Sequence, residues 1–177
     1  MKLKNSSNDI LDFTLIYNKY KNYIYNYVLK MVGDKVVCDD IVQQTFLKLY
    51  ENIELIRNKS VIKSWLFTTA RNEVFTQFRK KKLRRDYFSD KDTEELKIKD
   101  EQFVENYEKK ELRELVMIEL NDLPEEQKEV FVMKEYGGLS YKEISAALEI
   151  DENLVRSRLF KTRQKLIKRL SKVLERE

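Results

Sequence analysis

The fold of this chain is decided by residues 123–166, LPEEQKEVFVMKEYGGLSYKEISAALEIDENLVRSRLFKTRQKL. Pro124 stands where a helix can begin, because the first helical position needs no backbone N–H donor. Gly137 and Gly138 then end that helix, since a glycine pair interrupts the helical pattern. The stretch therefore opens with a short helix between a proline and two glycines.

Two more helices are predicted after the glycine pair. Ser140 and Glu143 have the spacing of a capping box, which predicts a short helix over 141–148. Asp151 is a suitable N-cap for a longer helix that ends near Leu170. Two consecutive helices joined by so short a connection indicate a helix-turn-helix.

The connection between these two helices contains an unusual residue. Helix-turn-helix turns often use glycine at the position that Glu149 occupies. A left-handed backbone would cost a glutamate about 1–2 kcal/mol, because its Cβ approaches the following carbonyl oxygen. We therefore expect the turn to be built differently.

The final helix is basic on its outer surface. Between residues 153 and 172 there are eight bases and no acid, whereas an ordinary solvated helix intersperses acids. With Val155 and Leu159 turned to the core, the outer surface offers groups suited to base edges and phosphates. These candidate DNA contacts are Asn153, Arg156, Ser157, Phe160, Lys161 and Arg163.

The first part of the chain predicts three further helices, each with an apolar face at three- or four-residue spacing. The first ends near Gly33 and has on its inner face Phe13, Ile16, Tyr20, Ile24, Tyr27 and Met31. The second repeats the period with Ile41, Val42, Thr45, Phe46 and Leu49. The third runs from about Ser60 to beyond Phe78 and turns inward Ile62, Trp65, Leu66, Thr69, Val74 and Phe78. Three such helices can close a small core.

Charge is arranged in blocks along the chain. Residues 71–85 carry seven bases and one acid, whereas residues 86–108 carry nine acids and three lysines with few apolar residues. The acidic segment has the composition of a linker. We therefore expect an all-α protein of two small helical domains, 8–85 and 109–172, joined by a flexible acidic linker at 86–108. The second domain contains the helix-turn-helix.

The composition argues against most enzyme classes. The 177 residues include no histidine, one cysteine (Cys38) and three glycines. A disulfide, the usual zinc ligand sets, a Ser-His-Asp site and a glycine-rich phosphate loop are therefore ruled out. Nothing marks two carboxylates as a buried acid–base pair, so we expect no enzyme activity, no metal and no cofactor. The amino end lacks a signal peptide's apolar core and no apolar run approaches a membrane span, so we expect a soluble, cytoplasmic protein.

Three segments together resemble a known family, the bacterial sigma factors of RNA polymerase, in particular the short extracytoplasmic-function (ECF) type. Residues 39–50, DDIVQQTFLKLY, resemble the family's polymerase-binding helix, and residues 64–85, SWLFTTARNEVFTQFRKKKLRR, its promoter-melting helix. Residues 123–166 resemble the domain that reads the upstream promoter element. The three segments stand in the family's order and at its spacing. The chain departs from the family's usual residues at Gln44, Glu149, Asn153 and Leu154. These departures bear on which promoter sequence is recognised and not on the family.

The resemblance implies three sets of functional residues. Those that would contact the clamp helices of the polymerase's largest subunit are Asp39, Asp40, Val42, Gln43 and Phe46, the last as an exposed ring. Those near the melted downstream element, where an unstacked base is captured, are Trp65, Arg71, Asn72 and Thr76. The adjacent phosphate contacts are Arg79, Lys80, Lys81 and Lys82. The outer residues of the final helix would read the upstream element.

The residues by themselves leave other roles open. Without the resemblance, Val42 and Phe46 fit the domain's own core better than a surface. Trp65 fits a core position and a DNA contact equally well. The consecutive bases at 79–82 suit phosphates, and a solubilising tail is their alternative.

We therefore expect an alternative sigma factor that takes core RNA polymerase to promoter DNA and helps to melt it, with no small-molecule substrate. Family members are commonly held by an anti-sigma factor, so such a partner is a further expectation. Two other classes stay open. A free-standing helix-turn-helix regulator would protect duplex DNA without polymerase. A helical interaction protein would dock on an acidic partner and show no preference for any DNA sequence.

Overall fold

The computed structural model describes residues 7–56, 58–87 and 107–174. The contacts within the chain divide it into two compact units, Met1–Lys97 and Ile98–Glu177. Throughout the described ranges every regular element is a helix. The all-α prediction is therefore confirmed.

The first unit is built from three α-helices: α1 (Ser7–Val32), α2 (Lys35–Asn52) and α3 (Ile62–Tyr87). Short 3-10 turns at Ile53–Leu55 and Lys59–Val61 lie between α2 and α3. Each of the three helices packs against the other two. The prediction of a small three-helix core is therefore confirmed.

A glycine and an aspartate fix the turn between α1 and α2. Gly33 has a φ of 73°, a left-handed value that glycine adopts without steric cost. Asp34 then caps α2, because its carboxylate accepts the backbone N–H of Val37 at 3.1 Å. The first helix ends beside Gly33, as the sequence predicts.

The core of the first unit contains two large aromatic rings. Tyr27 and Phe67 are fully buried, and their ring centroids lie 5.3 Å apart in an edge-to-face arrangement. The apolar period does not predict the burial of Phe67 and Ala70. Both are buried because α3 packs against two helices, which together cover a wider stripe of its surface.

The second unit is built from four α-helices: α4 (Tyr107–Asn121), α5 (Glu125–Glu135), α6 (Tyr141–Leu148) and α7 (Glu152–Leu174). The long helix α7 packs against the other three. Its residues Val155, Leu159 and Leu166 are buried, as predicted. Ile144 and Ala147 of α6, which packs against α7, are buried as well, and Leu166 clusters with Met117 and Leu120 of α4. Helices α6 and α7 form the predicted helix-turn-helix.

The predicted caps of the helix-turn-helix are both present. Ser140 Oγ accepts the backbone N–H of Glu143 at 3.2 Å, and the Glu143 carboxylate accepts the backbone N–H of Ser140 at 2.7 Å. At the start of α7, Asp151 Oδ1 accepts the backbone N–H of Asn153 at 2.7 Å. These bonds satisfy donors that a helix end would otherwise leave unpaired.

The prediction for Pro124 is wrong by one residue. Its ψ of 137° is extended, so Pro124 is the N-cap of α5 and Glu125 is the first helical residue. The Pro124 carbonyl already accepts from the N–H groups of Gln127 and Lys128, at 2.8 and 3.0 Å. Proline suits this position as well, because no donor is lost.

The expectation for Glu149 is also wrong. Glu149 has φ 55° and ψ 42°, so the turn does use a left-handed residue although no glycine is present. Ser145 compensates for this conformation from the last turn of α6. Its backbone carbonyl accepts the N–H groups of Glu149 and Ile150, and its hydroxyl donates to the Ile150 carbonyl at 2.5 Å. Hydrogen bonds worth about 1 kcal/mol each offset a strain of similar size.

The predicted linker at 86–108 falls mostly outside the described residues, which omit 88–106. At its two ends α3 continues to Tyr87 and α4 begins at Tyr107. The flexible, acidic linker therefore stays a prediction.

Candidate nucleic-acid interface

The outer surface of α7 carries the predicted DNA contacts on one side of the helix-turn-helix. Asn153, Arg156 and Lys161 are exposed, Ser157 is half-buried, and Phe160 is 65% exposed although it is aromatic. Val155 and Leu159 hold this helix from beneath, because both are fully or almost fully buried. The surface therefore presents hydrogen-bond donors and one apolar ring together.

Arg156 lies where α7 meets the start of α6. Its guanidinium carbon is 5.6 Å from the ring centroid of Tyr141, and its Nη2 is 3.7 Å from the Glu152 carboxylate. The side chain is still 61% exposed, so its remaining donors face solvent. Tyr141 could not be identified from the sequence as a neighbour of Arg156, since nothing in the local pattern brings residue 141 beside residue 156.

Several other bases of α7 form ion pairs within the unit. Arg158 pairs with Glu126, Arg163 with Glu135 at 2.8 Å, and Arg169 with Glu119 at 2.8 Å. The lack of acids in residues 153–172 therefore led the sequence-based prediction to overstate the positive charge available for DNA, because α4 and α5 supply the pairing acids. Hydrogen bonds to Glu135 and then to Tyr141 raise the pKa of the Arg163 guanidinium.

Helix α3 presents a row of residues for the predicted downstream contact. Trp65, Asn72, Thr76 and Arg79 recur at seven-, four- and three-residue steps, which places them on one face. Arg79 donates to Thr76 Oγ1 at 3.2 Å, and Thr76 Oγ1 donates to the Asn72 carbonyl at 2.8 Å. We call these four residues the α3 row.

Arg71 does not join the α3 row. Successive helical residues differ by about 100°, so Arg71 is turned away from Asn72. Its guanidinium carbon lies 4.6 Å from the ring centroid of Phe75. Trp65 is half-buried, which leaves part of its indole accessible. The exposed basic end of α3 begins with the last residue of the row and consists of Arg79, Lys80, Lys81 and Lys82.

A groove of about 530 Å³ lies between α1 and α2. We call it the aromatic groove, because Phe13 stacks on Tyr17 at 6.0 Å and meets Tyr50 edge to face at 5.4 Å. Of the predicted polymerase contacts, those that line it are Asp39, Val42, Gln43 and Phe46. Asp40 is exposed beside them without lining the groove. This groove could not be predicted from the sequence, since its walls come from two helices.

The expectation that Phe46 is an exposed ring is wrong. Its side chain is only 3% exposed and packs edge to face against Tyr17 at 4.8 Å. Burial follows from the helical period, which also turns Thr45 and Leu49 inward. The exposed apolar surface at this place belongs instead to Leu47, which is 46% exposed, and to the edges of Tyr17 and Tyr50.

The described residues contain no group of three or more His, Cys, Asp or Glu that could hold a metal ion. Cys38 is buried, and burial together with the charges of Asp39 and Asp34 raises the pKa of its thiol to about 12. So high a pKa disfavours the thiolate that a metal or a nucleophilic reaction would need. In the described part of the chain no helix is long and apolar enough to cross a membrane.

Comparison with known protein families gives two matches. Residues 16–84 match the protein family described as sigma-70 region 2, and residues 113–166 match the family described as sigma-70, region 4. The ECF RNA polymerase sigma factor SigM of Bacillus subtilis is 30% identical over 159 residues, which cover 85% of this chain and 90% of that protein. The ECF RNA polymerase sigma-E factor of Escherichia coli K12 is 29% identical over 176 residues, covering 93% and 89%.

Two solved structures share the fold. The sigma factor RpoE of Bartonella quintana, in complex with the anti-sigma factor NepR, superposes with a TM-score of 0.77 at 22% identity, covering 90% of this chain and 97% of that one. CnrH, in complex with the cytosolic domain of CnrY, gives a TM-score of 0.68 at 19% identity, covering 92% and 89%. At these identities the likeness concerns the fold alone.

Proposed function

The chain belongs to the sigma-70 family, in its ECF group, and from this premise we propose how its two units direct RNA polymerase to promoters. As a member of that family it is an alternative sigma factor. The observation that carries the assignment is the presence of regions 2 and 4 in one chain, with a relative matched over 90% of its length.

We propose that the first unit binds core polymerase through the aromatic groove. Asp39 lines the groove and Asp40 is exposed next to it in the chain, and two such carboxylates can steer and orient a basic partner surface. Tyr17 and Leu47 supply apolar area that becomes desolvated in a complex. Phe46 supports the groove from beneath, through its contact with Tyr17.

We propose that the α3 row takes up an unstacked base when the promoter opens. A base outside the stack needs hydrogen-bonding groups and an aromatic surface, and the row offers Asn72, Thr76 and the accessible part of Trp65. The four bases of the basic end of α3 would hold the adjacent phosphates whatever the sequence. Arg71 has a supporting role in this proposal, because it faces Phe75.

We propose that the outer surface of α7 reads the upstream element. Arg156 and Asn153 have donors that match guanine and adenine edges, and Phe160 can contact a thymine methyl group. Lys161 lies further along the helix and is suited to a phosphate. Arg163 stays a predicted contact, although its pairing with Glu135 at 2.8 Å leaves fewer donors for DNA.

The chemistry of RNA synthesis belongs to the polymerase in this proposal, so the chain acts without a catalytic site or cofactor, in the cytoplasm with its enzyme. An anti-sigma partner stays a prediction from the family resemblance.

The test is run-off transcription with purified core polymerase and a library of promoter duplexes. We expect transcripts from a subset of promoters only when this chain is added. A variant with Asp39→Lys and Asp40→Lys should lose association with polymerase and with it the transcripts, while its helical content is unchanged. Sequence-specific footprints by the free chain, without any effect on transcription, would support a free-standing regulator instead.

A further inference from the structure

The ring of Tyr141, at the first residue of the helix-turn-helix, lies beside two cations. Arg156 of α7 lies 5.6 Å from the ring centroid, measured from its guanidinium carbon, and Lys134 of α5 lies 5.3 Å from it, measured from its Nζ. Both distances are within the range of about 6 Å over which a cation is attracted to an aromatic face. The ring therefore joins three helices of the second unit.

The position of Tyr141 is itself well fixed. Tyr141 is the first residue of α6, directly after the capping box of Ser140. The ring is half-buried, so its neighbours restrict its movement. Lys134 is also held, because its Nζ donates to the Leu139 carbonyl at 3.2 Å. A ring held in this way can serve as a platform for a more mobile neighbour.

Arg156 is such a neighbour, because its side chain is 61% exposed and long. An exposed arginine loses rotamer freedom when it binds DNA, and that loss weakens binding. Contact with the Tyr141 ring and with the Glu152 carboxylate, at 3.7 Å, restricts the side chain before DNA arrives. A guanidinium that rests on an aromatic face keeps its N–H edges for hydrogen bonds.

We propose that Tyr141 is a positioning residue that holds the guanidinium of Arg156 in the conformation used to contact the upstream promoter element. The proposal rests on the proposed function of α7. It adds a residue of α6 to the set that determines promoter preference, acting through Arg156.

The experiment uses holoenzyme, reconstituted from core polymerase and the full chain, with promoter duplexes randomised in the upstream element. The variants are Tyr141→Phe, Tyr141→Leu, Arg156→Ala and the double variant Tyr141→Leu with Arg156→Ala. We expect Tyr141→Leu to lower promoter affinity about two- to fivefold, the size of one exposed cation–aromatic contact. We expect no further loss when Arg156 is already alanine, and nearly wild-type affinity for Tyr141→Phe, which keeps the ring.

Two results would overturn the proposal alone, and a third would overturn it together with the proposed function. Equal losses from Tyr141→Leu with and without Arg156 would mean that Tyr141 acts on its own. An equal loss from Tyr141→Phe would assign the effect to the hydroxyl and not to the ring. Failure of the wild-type holoenzyme to select any promoter would overturn the proposed function, and the inference with it.

A second measurement does not depend on DNA. In NMR spectra of the free full chain, the ring current of Tyr141 should shift the side-chain protons of Arg156. We expect the shift to persist in Tyr141→Phe and to vanish in Tyr141→Leu while the amide spectrum stays dispersed. An Arg156 shift that does not respond to Tyr141→Leu would overturn the contact itself.

Discussion

Glu149 has a left-handed backbone, φ 55° and ψ 42°, that glycine would adopt without strain. Replacing it with glycine should raise the free energy of unfolding by up to about 1 kcal/mol, because the relief of strain exceeds the entropy that glycine adds to the unfolded chain. Urea denaturation followed by circular dichroism would measure the change. Glu149→Ala is the matched control, since alanine removes the same side chain but keeps the Cβ. Equal stability of the two variants would show that the turn is unstrained.

Phe46 is buried beneath the aromatic groove and its neighbour Leu47 is exposed, so variants at the two positions distinguish support of the groove from contact with a partner. Phe46→Ala should lower the free energy of unfolding by about 3–5 kcal/mol, as expected for a large side chain that is 3% exposed. Leu47→Ala should weaken binding to core polymerase with little effect on stability, because Leu47 is 46% exposed. Denaturation and co-elution with polymerase distinguish the two effects. A stable Phe46→Ala variant that cannot bind polymerase would restore Phe46 as a direct contact.

The features of single helices that depend on nearby residues, such as caps and buried faces, were predicted from the sequence. The caps at Ser140 and Asp151 and the inner face of α7 depend on residues a few positions apart, so the sequence was sufficient. The partners of the α7 arginines could not be predicted, because Arg163 and Arg169 reach acids that are 28 and 50 positions away. The aromatic groove was missed for the same reason, since it exists only once α1 packs on α2.

The basic end of α3 and the outer surface of α7 should respond differently to loss of one cation. Lys81→Ala should weaken binding of holoenzyme to all promoters alike and reduce the salt slope by about one, because one phosphate contact is lost. Arg156→Ala should change the preferred base at one upstream position, at a cost of about 1–3 kcal/mol. Binding to a promoter set at several salt concentrations measures both quantities. Uniform effects from both variants would remove the proposed division between phosphate contact and base reading.

For the whole molecule, the two units offer DNA small and separate surfaces. The first unit contributes the α3 row with the basic end of α3, and the second contributes part of α7. Each unit alone offers few groups to DNA, and all four arginines of α7 form ion pairs within the unit. Strong binding therefore requires both surfaces to bind one promoter at the same time. Simultaneous binding is possible only when the distance between the two surfaces matches the distance between the two promoter elements.

We expect the free chain to bind promoter duplex at least about 100-fold more weakly than the holoenzyme does. The polymerase fixes the spacing of the two units, so that once one unit is bound the other unit has a high effective concentration at its own DNA site. Equilibrium binding of the free chain and of holoenzyme to one selected promoter, at matched ionic strength, gives the ratio. Arg156→Ala is the internal control. It should reduce selective binding by the holoenzyme and leave the weak binding of the free chain nearly unchanged, since weak binding rests on phosphates. Tight, selective binding by the free chain, lost on Arg156→Ala, would mean that the second unit reads DNA without help from the polymerase.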